Sequence, residues 1–200
     1  MSARTHRRPV RALAVAVGTA AALAVPFALS GTASAAPSPA TAEVNAYDWQ
    51  LTYRAAPGQA DKATVTASPT ADRTGITYVI DDTVTIKAGH GCAHPDGADR
   101  TKVSCTVTSL DSQDPYAALI VRLGDRDDTL AYRNATDQIY YYAEISLGSG
   151  NDKATDSGRL DGAYVSGDAG ADTLTVGKEG LAWGGDGNGG TRSPAGPAGT

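Results

Sequence analysis

Asp128, Asp152 and Asp172 each follow a glycine-bearing turn and precede a short run of strand-forming residues, at spacings of 24 and 20 positions. The three stretches are Leu123-Gly124-Asp125-Arg126-Asp127-Asp128-Thr129-Leu130, Leu147-Gly148-Ser149-Gly150-Asn151-Asp152-Lys153-Ala154 and Gly167-Asp168-Ala169-Gly170-Ala171-Asp172-Thr173-Leu174. A fourth, Gly184-Gly185-Asp186-Gly187-Asn188-Gly189, keeps the glycines but has Gly189 where the aspartate would stand. Glycine permits the positive-φ backbone that tight turns need, so carbonyl oxygens can converge beside the carboxylate. Such a set is all oxygen. It suits calcium, which takes six to eight oxygen ligands at about 2.3–2.6 Å, whereas zinc would want the imidazole or thiolate that these turns lack.

Each stretch lies close to the nonapeptide G-G-x-G-x-D-x-U-x, with U apolar. On these residues, positions 123–190 resemble secreted bacterial proteins with hemolysin-type (RTX) calcium-binding repeats. That resemblance implies a right-handed parallel β-roll in which two units form a coil and alternate turns lie on opposite edges. It implies Asp128, Asp152 and Asp172 as ligands, with carbonyls from Gly124, Gly148, Gly150, Gly167 and Gly170. The same resemblance implies Asp125, Asp127, Asn151, Asp168 and Asp186 as supplementary contributors. The intervening segments 132–137 and 156–161 keep an aspartate without the glycines, and 177–180 has none. One edge is therefore expected to carry a column of two or three calcium ions and the other edge none. Arg126 stands in a glycine position and weakens the first unit.

Strands must position these turns. The runs 49–53, 63–67, 76–80, 83–86, 103–107 and 118–121 are short, rich in β-branched residues and separated by Gly, Pro, Asp and Asn. No long window outside the amino terminus has a helical period. Ile139, Tyr141, Ala143 and Ile145 share one face of a further strand, leaving Tyr140 and Tyr142 outward. Asp-Lys-Ala-Thr occurs at 61–64 and again at 152–155, and Asp82-Thr83-Val84 matches Asp128-Thr129-Leu130 and Asp172-Thr173-Leu174 in form, as in a decayed repeat. The expected fold is all-β, a right-handed parallel β-roll or β-helix with a β-rich amino-terminal half. The alternative is a β-sandwich at 44–122 joined to a short β-roll at 123–190.

Arg4, Arg7, Arg8 and Arg11 precede an apolar run at 12–29 and the small-residue site Ala33-Ser34-Ala35, which reads as a secretory signal over 1–35 and not as a membrane anchor. Positions 36–43 read as a flexible lead-in and 191–200 as a disordered tail. Removing the leader leaves 13 basic against 22 acidic residues, a balance of −9. That charge repels phosphate and so argues against nucleic acid as a partner. The only Phe and Met lie in the leader, so the core is expected to be thin. Cys92 and Cys105, the only cysteines of an exported chain, are expected to pair. His90 and His94, with Asp96 and Asp99, read as a surface loop rather than a transition-metal site.

No nucleophile elbow, zincin or phosphate-loop motif is present. The leading expectation is an extracellular, non-catalytic calcium-binding solenoid with a structural, adhesive or surface-interaction role. Its partners are calcium ions and an unspecified cell-surface or polysaccharide partner. Two other readings stand beside it. One is a polysaccharide-acting β-helix enzyme using Tyr140, Tyr142, Arg122 and Arg133; the other is a decayed, metal-free solenoid that binds a partner.

Overall fold

Inward and outward residues alternate along most strands, as in Ala63, Val65 and Ala67 of one strand and Leu130 and Tyr132 of its neighbour. The computed structural model describes residues 37–192 apart from 139, 159–161, 178–179 and 188. The expected leader, Ile139, the turn at 159–161, Lys178, Glu179, Asn188 and positions 193–200 lie outside the described residues.

The first half carries β1 (Ala40–Val44), β2 (Leu51–Arg54), β3 (Lys62–Pro69), β4 (Gly75–Asp81), β5 (Ile86–Ala88), β6 (Cys92–Ala93) and β7 (Lys102–Thr108). The second carries β8 (Tyr116–Arg122), β9 (Thr129–Asn134), β10 (Tyr141–Ser146), β11 (Lys153–Gly158), β12 (Tyr164–Ser166), β13 (Thr173–Thr175), β14 (Leu181–Trp183) and β15 (Gly190–Arg192). The described residues contain no helix. Two mostly parallel sheets result, in the orders β14-β12-β10-β8-β2-β1-β5 and β15-β13-β11-β9-β3-β4-β7-β6. From β8 onward successive strands alternate between the sheets, so each pairs in parallel with the strand two places away.

Rows of like residues run across the ladders. Ala63, Leu130, Ala154 and Leu174 occupy one register on one sheet, and Tyr53, Val121, Ile145, Val165 and Ala182 one on the other. Most of these side chains are buried in a single core shared by both halves. Every coil contributes only a few apolar side chains, and the stack sums them.

The amino-terminal strands extend the same two sheets instead of forming a separate sandwich. β2 and β3 lie parallel to β8 and β9, so the turn at 55–61 stands next to that at 123–128. Beyond them the pairing is largely antiparallel, β1 with β2 and β3-β4-β7-β6 in sequence, and this closes one end. The Cys92–Cys105 disulfide ties β6 to β7 across directly opposed residues.

Three boundaries differ from expectation. Positions 40–43 of the expected lead-in form β1, whose Ala42 and Val44 are buried against the core. Positions 191 and 192 of the expected tail belong to β15, paired with Leu174 and Thr175 of β13. Thr83, Val84 and Thr85 precede β5 rather than form a strand, because Asp82 turns the chain there by accepting the Thr83 N–H.

Candidate metal centre

The four glycine-bearing turns stack on one edge, joined through parallel bridges from Asp125 to Ser149, Ser149 to Ala169 and Ala169 to Asp186. This fixes their alignment, and Asp128, Asp152, Asp172 and Gly189 fall at the same place in successive turns. The residue after the turn's first position is left-handed throughout, with φ of 95° at Gly124, 104° at Gly148, 62° at Asp168 and 74° at Gly185.

Stacking demands glycine where backbones meet. At Gly170 a Cβ would overlap the carbonyl oxygen of Gly150, and φ there is 143°. Arg126 is tolerated two coils earlier because it takes the left-handed conformation itself, at φ 87°, with its own carbonyl against Gly150. Gly167 stands in the place of Leu123 and Leu147, and Asp168 in that of Gly124 and Gly148. Ser146 and Ser166 donate their hydroxyls to the Asp168 side chain and hold it away from the aspartate column.

That column is the centre of the site. The N–H of Asp61 donates to Asp128 Oδ1 at 2.7 Å, that of Asp128 to Asp152 Oδ1 at 2.7 Å, and that of Asp152 to Asp172 Oδ1 at 2.9 Å. All four aspartates are buried, at 0–2% exposure. The second oxygen, Oδ2, of each of the four is buried without a hydrogen-bond partner. At Asp172 this orphan oxygen occupies the space that a Cβ on Gly167 would fill. Unpaired carboxylate oxygens in the interior are costly, so each calls for a proton or a cation.

Burial pushes the Asp128 carboxyl up to about 7, with Asp152 adding and the Asp61 N–H opposing. Burial also raises Asp152, again against the hydrogen bond from Asp128. Asp61 is pushed up to about 7 by burial, then by Asp82 and Asp128. Burial thus disfavours the charged form at Asp61, Asp128 and Asp152 alike.

The supplementary residues do a different job. Asp127 Oδ1 accepts the Asn151 N–H at 2.8 Å, and Asn151 Oδ1 accepts the Ala171 N–H at 3.2 Å, forming an exposed outer ladder. Asp125 caps the Gly58 N–H at 2.7 Å, and Asp186 is exposed beside Asp168, whose carbonyl accepts its N–H. None of these carboxylates joins the buried column. The Gly124 and Gly148 carbonyls accept N–H groups from Ser149 and Ala169 on the next turn. Each retains a second lone pair.

Among the described residues no three His, Cys, Asp or Glu side chains form a metal-holding group. Each of the first three turns offers one buried carboxylate and the fourth none, so a cation on this edge would draw most of its shell from carbonyls. The orphan Oδ2 atoms fit a hard cation on those terms.

Other candidates are dispersed. His90 meets Asp48 at 2.7 Å and His94 Nδ1 meets the Lys102 carbonyl at 2.8 Å. Arg122 pairs with Glu144 at 3.4 Å on one sheet, while Arg133 stands on the other, so the loose enzyme set of Arg122, Arg133, Tyr140 and Tyr142 is not assembled. Two residues that the turn pattern did not reveal belong to the site. Asp61 heads the column, marked in sequence only by its Asp-Lys-Ala-Thr echo of Asp152, and Asp82 lies beneath it.

Fold and site together define an all-β protein of two mostly parallel sheets with a stacked column of buried aspartates along one edge. Compared with protein-family models, curated proteins and solved structures, the chain matches none.

Proposed function

We propose that this is a secreted, non-catalytic calcium-binding protein whose stacked turns form a right-handed β-roll of the hemolysin-repeat kind, with a structural or surface-adhesive role. The observation that carries the reading is the row of buried, unpartnered Oδ2 atoms on Asp128, Asp152 and Asp172. Asp128, Asp152 and Asp172 would hold the ions together with turn carbonyls. Calcium there supplies the positive charge that the column lacks. Its role is to order the coils, and the adhesive face would meet a cell-surface or polysaccharide partner.

Extracellular calcium modules bind at about 10⁻⁴–10⁻³ M. Isothermal titration of the chain without its leader is expected to give two or three sites in that range, with a higher melting temperature in calcium than in chelator. A flat isotherm with a melting curve indifferent to chelator would sink this reading. It would favour a metal-free solenoid acting as a partner-binding module. One observation supports that second reading: the Oδ1 hydrogen bonds between turns link the coils without any ion.

A further inference from the structure

The cap end of the aspartate column is built differently from the rest. Asp128, Asp152 and Asp172 each receive the N–H of an aspartate one coil away, but Asp61 receives none from a further coil. Its Oδ1 lies 3.5 Å from the Tyr53 hydroxyl, and its Oδ2 has no hydrogen-bond partner although Asp61 has no exposed surface. Asp82, immediately after β4 and only 6% exposed, comes to the same place. Tyr53 donates its hydroxyl to Asp82 Oδ2 at 2.7 Å, and the N–H groups of Lys62 and Thr83 donate to Asp82 Oδ1 at 2.8 and 2.6 Å.

One tyrosine hydroxyl therefore bridges two buried carboxylates. Among the described residues no lysine, arginine or histidine is ion-paired with either. Three donors reach Asp82, and none of them carries a formal charge on the donating atom. The Oδ2 of Asp61 has nothing. Two such groups in the interior call for a proton or a cation between them.

We propose that Asp61 and Asp82 hold a hard divalent cation of the calcium type between them, at a site outside the repeat and built by the antiparallel cap. Asp61 Oδ2 is its first ligand, an Asp82 oxygen its second, and the Tyr53 hydroxyl a neutral third. An all-oxygen set selects calcium over zinc. The ion would pin the β4 end of the cap to the first coil. The site goes beyond the column at Asp128, Asp152 and Asp172 and has its own residues.

Terbium(III) luminescence excited through tyrosine tests the site, because Tyr53 touches Asp82. In the full chain carrying Asp128→Asn, Asp152→Asn and Asp172→Asn, calcium-displaceable emission is expected to persist and to fall at least tenfold on adding Tyr53→Phe or Asp82→Asn. Calorimetry on otherwise wild-type protein should lose one calcium equivalent with Asp82→Asn and keep those of the repeat. Circular dichroism checks that each variant folds, and Asp82→Glu, which keeps the charge, should retain emission. A calcium stoichiometry unchanged by Asp82→Asn overturns the cap site and leaves the repeat reading intact. If wild type binds no calcium, both fall. A pair joined by a shared proton would show no calcium-displaceable emission in the repeat-disabled chain, and that too overturns the proposal.

Discussion

The backbone N–H of Asp128 donates to Oδ1 of Asp152 at 2.7 Å, across 24 positions of sequence. One oxygen of the carboxylate thus serves the neighbouring turn while the other faces the interior unpaired. The structural and the ion-binding roles of the residue sit on different atoms, which makes them separable by substitution.

Asp152→Asn keeps an acceptor for the Asp128 N–H and removes the charge. In chelator it is expected to be neutral or stabilising by up to about 1 kcal/mol, since a buried unpaired charge is lost. In millimolar calcium it should forfeit the ligand-linked gain, about 1.4 kcal/mol for each ~10⁻⁴ M site. Urea melts in the two conditions measure both. Equal destabilisation with and without calcium would mean that the carboxylate serves only the hydrogen bond.

Acidity and calcium should act in opposition. Burial holds Asp61 and Asp128 at about 7 in the fold, against about 3.9 in an unfolded chain. Between about pH 4 and 7 the folded form binds more protons, so stability falls as pH rises through that window. The melting temperature in chelator is expected to drop from pH 5 to pH 8, and the gain from calcium to grow over the same range. A chelator profile that is flat or rises with pH would contradict the buried charge.

Gly170→Ala places a Cβ on the Gly150 carbonyl at a backbone φ of 143°. The coil cannot relieve both at once. A loss of about 2–4 kcal/mol is expected, read as a lower urea midpoint with unchanged slope. Gly58→Ala is the companion, since its φ is 80° but nothing lies within 4 Å of the added atom. It should cost about 1–2 kcal/mol.

Reducing the Cys92–Cys105 bridge opens a link of 13 positions within the cap. About 3 kcal/mol of stability should go with it in the chain-entropy model. Calcium stoichiometry at the repeat turns is expected to survive, because β6 and β7 lie at the far end of their sheet from β11 and β13. Coincident loss of both would show that the cap and the coils order as one.

The alternate-turn column was legible because its cause is local. Glycine, aspartate and an apolar residue at fixed offsets specify a turn, and the 24- and 20-position spacings put every second turn on one edge. Asp61 was hidden because its turn, Ala55-Ala56-Pro57-Gly58-Gln59-Ala60, has another shape and reaches Asp128 only through parallel pairing of β3 with β9. Asp82 was hidden for a stronger reason, since its partner Tyr53 lies 29 positions away and meets it only once the cap has formed. Asp168 was not legible as a stand-in for glycine, because only the structure shows the left-handed backbone, φ 62°, that it adopts in the place of Gly124 and Gly148.

The two side-chain ladders of the turn edge run in opposite senses. In the inner one a carboxylate accepts from the coil before it, and in the outer one Asp127 and Asn151 accept from the coil after. A coil so equipped is an interchangeable tile, offering each neighbour both halves of a bond. Duplicating residues 129–152, which carry both Asn151 and Asp152, would therefore add one rung to each ladder without disturbing register elsewhere. It would lengthen the molecule by a single strand spacing, about 4.7–4.9 Å. The architecture works as a ruler, graduated in whole coils from its disulfide-closed end.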